Sequence, residues 1–438
     1  MPNFNVDHAA GPSNFVLLTG EAGVVMASGS ITVPIGNGIY GNGVNMFNSG
    51  ATLINMGVIA APQLIGVGMF DSGHRLYNAG LIAGLTGGVA GTATGTIVDN
   101  SGHILAGASA RAVSLGAGGL VQNSGTISAV SAEAIVLAGT VASTVVNTGL
   151  ISTGGAVAIV LGDGADRVTN SGTILGNVDL SSGNDVLVNT GLVQGDVIGG
   201  VGRTTFLMEG GAVTGTIRGG TLGDLLRGGD GAERFIGGAG ADTLHGNGGD
   251  DRLEAGVGND IITGGDGADS LYGGSGYDTI NGGAGDDLLD GGATNDTLRG
   301  GAGDDLLLGG AGNDLMMGGS GDDTLTGGAN RDVLVGGSGS DVFVFAATSD
   351  SVAATPDLID GFQRGQDRID LSAIDAIPGG VNDAFVYIGT NAFSAPGQLR
   401  VVAGPTVQVE VNTIGAGGAE MVILVQVPAT LTAADFIL

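Results

Sequence analysis

Residues 219–344 divide into fourteen consecutive blocks of nine, with no insertion or gap. Four in a row, from Gly264 to Arg299, read GGDGADSLY, GGSGYDTIN, GGAGDDLLD and GGATNDTLR. The sixth position of every block is acidic: Asp224, Glu233, Asp242, Asp251, Asp260, Asp269, Asp278, Asp287, Asp296, Asp305, Asp314, Asp323, Asp332 and Asp341. The eighth is always apolar, from Leu226 and Phe235 to Leu334 and Phe343. A period this strict confines the segment to a stack of like units.

Glycines permit positive φ and tight bends, so the first six residues of each block are expected to turn. The last three are expected to form a short strand whose middle residue points inward. Two blocks then make one flattened coil of eighteen residues. Stacked coils bury the apolar column and pair their strands. The turns bring carboxylates and backbone carbonyls together between coils, an all-oxygen cage suited to a hard cation such as Ca²⁺. Composition alone would also allow a disordered glycine-rich tract. The fixed phase of acid and aliphatic speaks against that for the folded state. Without a cation, however, 22 acids against 5 arginines repel one another across a segment with little core.

The block pattern GGxGxDxUx resembles the calcium-binding nonapeptide repeat of the RTX (repeats-in-toxin) family. The resemblance covers all fourteen blocks and implies a calcium β-roll. Departures are local. Leu222, Thr294 and Asn330 replace the fourth-position glycine, Glu233 replaces Asp, and Gly246-Asn247 and Ala255-Gly256 alter the leading pair. Calcium is expected to bind more weakly there, and most firmly from Gly264 to Gly327.

The chain has 438 residues, 91 of them glycine, with no cysteine or tryptophan. All thirteen basic residues are arginine. A layered core of large aromatics is not expected, and a solenoid packed with Val, Ile, Leu and Ala is favoured. The net charge of −30 disfavours nucleic acid and anionic membranes as partners and favours cations. Disulfides are excluded, and calcium can do their stapling.

Ahead of the blocks, from about residue 36 to 218, runs a looser repeat: Asn, a small residue, Gly, then an apolar strand. Its copies begin at Asn55, Asn78, Asn100, Asn123, Asn147, Asn170 and Asn189. The spacing is 22 to 24 residues, then 19 at the last step, the length of one parallel β-helix coil. Asn-Gly chemistry marks the turn, and stacked asparagines can form a hydrogen-bonded ladder. The coils also converge on the nonapeptide pattern. Leu161-Gly162-Asp163-Gly164-Ala165-Asp166-Arg167-Val168 already reads xGxGxDxU, and Asp166, Asp185, Thr204 and Asp224 are 19, 19 and 20 apart. One reading is a further, weaker Ca²⁺ site between Asp166 and Asp185; the other is that both are ordinary turn residues.

The first thirty-five residues look irregular and are expected to cap the solenoid. They show no basic run and only a short apolar one, so export by an N-terminal signal is not expected. Beyond Phe345 the nine-residue rhythm stops. The tail carries Asp357-Leu358-Ile359-Asp360-Gly361-Phe362, Gly365-Gln366-Asp367-Arg368-Ile369-Asp370-Leu371, and a closing Asp435-Phe436-Ile437-Leu438. Alternating strands are expected near Val407 to Val411 and Val422 to Val427. This region resembles the C-terminal part of the serralysin metalloproteases. The resemblance implies a tail that caps the roll and an uncleaved signal read by a type I (ABC-transporter) secretion system.

Serralysins place a zinc-binding H-E-x-x-H helix before their roll. The four histidines here, His8, His74, His103 and His245, form no such motif. The stronger enzyme alternative is a polysaccharide lyase or epimerase that joins a catalytic β-helix to an RTX module. It needs an acid or metal, a base and a cation on one face. Candidates are Asp71, His74, Arg75, Tyr77, Asp99, His103 and Arg111. His74 lies four residues before Asn78 and His103 three after Asn100, which sets them on different faces.

The sequence thus describes an all-β chain, a right-handed parallel β-solenoid continuing into an RTX calcium β-roll. Its expected parts are a cap over 1–35, a calcium-poor solenoid over 36–218, the roll over 219–344 and a β-rich cap with secretion signal over 345–438. The expected function is a secreted calcium-binding protein that folds on Ca²⁺ outside the cell, in a structural, adhesive or surface role. Its expected partners are calcium, the secretion machinery and a surface or matrix polysaccharide, with neither nucleic acid nor a membrane span.

Overall fold

The computed structural model describes residues 4–6, 14–16, 23–25, 30–33, 38–40, 44–46 and 50–438, apart from 71, 93, 117, 378–382, 416–417 and 428–429. They fall into two compact units, residues 1–229 and 230–438. Each is a parallel β-solenoid. One 3-10 turn, Ala433–Asp435, is the only helical element among the described residues, and no helix there is long and apolar enough to cross a membrane.

In the N-terminal unit most coils give one strand to one parallel sheet and the next two, in places merged into one, to a second parallel sheet. Strand Arg75–Asn78 shows why: its burial alternates, with Leu76 and Asn78 inward and Arg75 and Tyr77 outward. Register then aligns like with like. Leu53, Leu76, Val98, Val121, Val145, Val168, Leu187, Phe206 and Leu226 form one inward column. Ile59, Ile82, Ile104, Ile127, Ile151, Ile174 and Val193 form the facing one. Each such side chain contributes roughly 1.5–3 kcal/mol by leaving water.

The asparagine ladder is present. Asn55, Asn78, Asn100, Asn123, Asn147, Asn170 and Asn189 are buried, and each Nδ2 from Asn55 to Asn170 donates to the next Oδ1 at 2.7 or 2.8 Å. The neighbouring glycines serve a purpose other than the turn conformation expected of them. At Gly102, Gly125 and Gly149 a Cβ would strike the carbonyl of the matching glycine one coil back. Closeness of coils, rather than positive φ, requires glycine there.

The first thirty-five residues, expected to be irregular, supply strands Phe4–Val6, Asn14–Val16, Gly23–Val25 and Ser30–Val33. These pair in parallel, Phe4–Val6 with Gly23–Val25 and Asn14–Val16 with Ser30–Val33. Most other residues of that stretch lie outside the described ones.

In the C-terminal unit the nine-residue blocks alternate between two parallel sheets, eighteen residues per coil. Phe235, Leu253, Leu271, Leu289, Leu307, Leu325 and Phe343 stack on one side. Leu244, Ile262, Ile280, Leu298, Met316 and Leu334 stack on the other. One expectation needs correction. The strands are six residues long, not three: Ser270–Ser275 holds Gly273 and Gly274 within it. The strand runs through both glycines and the second lies in the ladder, Gly274 opposite Gly256, so only positions four to six turn.

The tail extends both sheets. Asp357–Asp360 pairs with Val333–Ser338 and with Met421–Gln426, which joins an antiparallel set with Val407–Asn412 and Gln398–Val402. Arg368–Asp370 pairs with Val342–Val344 on one side and with the final strand, Phe436–Ile437, on the other. Both strands expected from the tail's alternation are therefore present, and the terminal apolar residues form an added strand. Asp435 is buried beneath it, accepting from the Thr432 N–H at 2.6 Å and lying 3.6 Å from Arg364.

Candidate metal centre

The block acids stand in two columns, one per sheet, at the point where each turn enters its strand. Every sixth-position acid from Glu233 to Asp341 is buried. One oxygen of each aspartate has a fixed task. Asp251 Oδ1 accepts from the Glu233 N–H at 2.7 Å, Asp269 from Asp251 at 2.8 Å, and so on by steps of eighteen. The second column repeats this, from Asp242 N–H with Asp260 to Asp314 N–H with Asp332. Residues at the fifth position run the ladder the other way. Asp286, Asn295 and Asp304 accept from the N–H groups of the following coil at 2.7 to 2.8 Å.

The other oxygen is unused. Oδ2 of each sixth-position aspartate from Asp251 to Asp341 is shut from solvent and meets no protein donor. It does meet other oxygens. A Cβ added to Gly291 would sit 2.7 Å from Asp296 Oδ2 and 2.8 Å from the Gly309 carbonyl oxygen of the next coil. For Gly273 the figures are 2.5 Å to Asp278 Oδ2 and 2.7 Å to the Gly291 oxygen. A free carboxylate oxygen and a carbonyl oxygen thus converge from neighbouring coils. Among the described residues no three His, Asp or Glu side chains converge on one point, so carbonyls must complete any cage.

The electrostatics agree. Burial pushes Asp251, Asp287, Asp296, Asp323 and Asp332 up to about 7, against relief from the N–H of the preceding coil, and neighbouring carboxylates raise them further. Asp278, Asp305 and Asp341 reach about 6, with burial again the main cause. Buried like charges with spare oxygens and no cationic side chain beside them fit a hard, oxygen-seeking divalent ion.

The RTX calcium-binding nonapeptide repeat family matches the chain in eight overlapping placements, from 209–244 to 317–351. Residues 209–351 are RTX calcium-binding repeats. Two solved structures similar to part of the chain are repeat subunits from the Azotobacter vinelandii mannuronan C5-epimerase. AlgE6R3 is 28% identical over 35% of this chain and 78% of its own, with a TM-score of 0.21. AlgE6R2 is 30% identical over 36% and 91%, with a TM-score of 0.24. No curated protein matches the chain.

The RTX departures have local consequences. Asn247, Thr294 and Asn330 keep the positive φ of the glycines they replace, at 77°, 79° and 87°. Ala255 fills with its own Cβ the place that is empty beside Gly237 and Gly264. Asp224 differs again: its Oδ2 accepts from the Gly220 N–H at 2.5 Å, and its Oδ1 from the Thr204 N–H.

Two acids beyond the repeats extend the columns and were not singled out as ligands from sequence. Asp357 Oδ1 accepts from the Asp332 N–H at 2.8 Å, and Asp367 Oδ1 from the Asp341 N–H at 3.2 Å. Asp357 Oδ2 is buried without a donor, and burial pushes this carboxyl up to about 8. Asp367 Oδ2 is taken by the Gln363 N–H. The signal was available: Asp357-Leu358-Ile359 and Asp367-Arg368-Ile369 keep the acid and the aliphatic two residues on.

The catalytic candidates separate. Arg75, Tyr77 and Asp99 share the outward face of one sheet, Tyr77 in register with Asp99. A shallow hollow of about 200 Å³ lies there, lined by Met56, Tyr77, Asp99 and Ser101. His74 is buried, His103 faces out from the other sheet, and Arg111 pairs with Glu133 at 3.1 Å. Asp71 lies outside the described residues.

Proposed function

We propose that this is a secreted protein whose RTX roll folds on calcium outside the cell and whose N-terminal solenoid serves a structural or adhesive role at a surface. The buried Oδ2 columns carry the reading. The Asp251 to Asp341 carboxylates would hold calcium with backbone carbonyls of adjacent coils, joined by Asp357 and, less fully, Asp224, Glu233, Asp242 and Asp367. Bound calcium would cancel the charge that otherwise opposes stacking. Extracellular calcium modules work at roughly 10⁻⁴–10⁻³ M, so the chain would remain unfolded in a low-calcium cytoplasm and pass a type I exporter. The serralysin-like tail supports that route.

The adhesive part rests on the N-terminal unit. A groove of about 780 Å³ lies across its coils, floored by Ala60, Ala83 and Gly84 and walled by Leu85, Leu105 and Val130. Contiguous exposed apolar surface of this kind marks contact sites. The Arg75, Tyr77 and Asp99 face favours a second reading, a polysaccharide lyase or epimerase. Incubating the chain with uronate polymers and following unsaturated products or epimer ratios by NMR separates the two. Turnover that is lost in Tyr77→Phe would favour the enzyme.

The primary test is far-UV circular dichroism during calcium titration of the chelator-treated chain. A coil-to-β transition is expected, and Asp269→Ala with Asp287→Ala should move it to higher calcium. An unchanged titration in the variant would refute the assigned ligands.

A further inference from the structure

Asp166 and Asp185 lie ahead of the residues matched by the RTX family, in adjacent coils of the N-terminal unit. They are 2% and 1% exposed. Turn residues facing water would not be. Asp166 Oδ1 accepts from the Ser143 N–H at 2.5 Å, and Asp185 Oδ1 from the Asp166 N–H at 2.7 Å. Both Oδ2 atoms are buried with no hydrogen-bond partner; the backbone N–H groups of Ser143 and Gly162 lower the Asp166 carboxyl against its burial.

The surrounding loop follows the roll's template in detail. Asn184, in the fifth position, accepts from the Arg203 N–H at 3.2 Å, as Asn295 accepts from Asn313. Gly183 has a φ of 142°, and a Cβ there would strike the Gly164 carbonyl one coil back. Gly276 stands in the same relation to Gly258. The carbonyl that faces the next coil in the roll therefore faces it here too.

Two coils further on, the protein neutralises the same column with its own groups. A Cβ on Gly199 would strike Thr204 Oγ1 and lie 2.7 Å from the Gly219 carbonyl oxygen, the arrangement that Asp296 Oδ2 and the Gly309 oxygen make around Gly291. Thr204 thus puts a neutral hydroxyl where the roll has a carboxylate oxygen. Burial raises Asp224, while the Thr204 and Gly220 N–H groups and the Arg203 guanidinium pull it back. Asp166 and Asp185 have no such cation acting on them. Burial raises both, Asp185 to about 6, and the charges of Asp163 and Asp166 add to it.

We propose that Asp166 and Asp185 bind a hard divalent cation between two long coils of the N-terminal unit, through their Oδ2 atoms and neighbouring backbone carbonyls. For the identity of the ion as calcium, the inference rests on the calcium reading of the roll. The site gives the N-terminal solenoid its own calcium dependence, and Thr204 marks where the column is interrupted.

The test uses the full chain, stripped with chelator, reloaded with calcium and desalted, with bound metal counted by atomic emission. Asp166→Asn with Asp185→Asn should carry at least one ion fewer than the parent. Calcium should also cease to slow hydrogen exchange over residues 162–187. Asp185→Thr copies the arrangement already present at Thr204 and guards against misfolding; it should lose the same ion. An undiminished count in both variants, while Asp269→Asn with Asp287→Asn loses metal, overturns this site and leaves the roll intact. If the parent chain holds no calcium, both readings fall.

Discussion

At the scale of single residues, the roll depends on the division of labour within each carboxylate. One oxygen is spent on the backbone and the other is held free. The space beside the first glycine of the block protects that freedom. Gly291→Ala would drive a Cβ against Asp296 Oδ2 and the Gly309 carbonyl, so the calcium needed for half-folding should rise about tenfold, equivalent to about 1.4 kcal/mol. Ala255→Gly should shift the same titration the other way. The raised carboxyls also set a pH dependence. A group whose folded-state pKa is raised adds stability below its unfolded value of about 4 and loses it as pH climbs through the folded value. Without calcium, β-structure should therefore be greatest in acid and fall between about pH 6 and pH 8, following Asp278, Asp287 and Asp357. With calcium the trend reverses, because the ion needs the carboxylates ionised. Circular dichroism at pH 5 and pH 8, with chelator and with calcium, would show a crossing of the two curves.

At the scale of elements, much was legible. The nine-residue phase foretold which side chains stack, and the recurring Asn foretold the ladder. Strand length was not legible. Propensity argues against glycine in strands, yet Gly273 and Gly274 sit in one, where coil stacking sets Gly274 opposite Gly256. Asp357 and Asp367 were hidden for a related reason. The tail drops the glycines and inserts residues after Phe345, so the rhythm breaks although the acid and aliphatic persist. In the N-terminal unit, the ladder makes a sharp prediction. Asn123→Leu removes a donor and acceptor between Asn100 and Asn147 and leaves buried partners unmade. It should destabilise that unit by about 1–3 kcal/mol in urea unfolding. The calcium midpoint of the roll should stay within error of the parent.

At the scale of the whole molecule, the alternation of blocks between two sheets has a consequence for length. Removing residues 282–299 excises one whole coil: every later block returns to its own sheet, and both acid columns close up. Removing residues 282–290 excises half a coil, and each later strand must change sides. The repeats themselves are nearly alike and could exchange places. The tail could not, since Asp357–Asp360 is shaped to lie on Val333–Ser338, and Arg368–Asp370 on Val342–Val344. The longer deletion should then fold with calcium much as the parent does, and the shorter should lose hydrogen-exchange protection in strands Val407–Asn412 and Met421–Gln426. The roll is in this sense a ruler graduated in eighteens. It can be lengthened or shortened by duplication without renegotiating either end, but only in whole graduations.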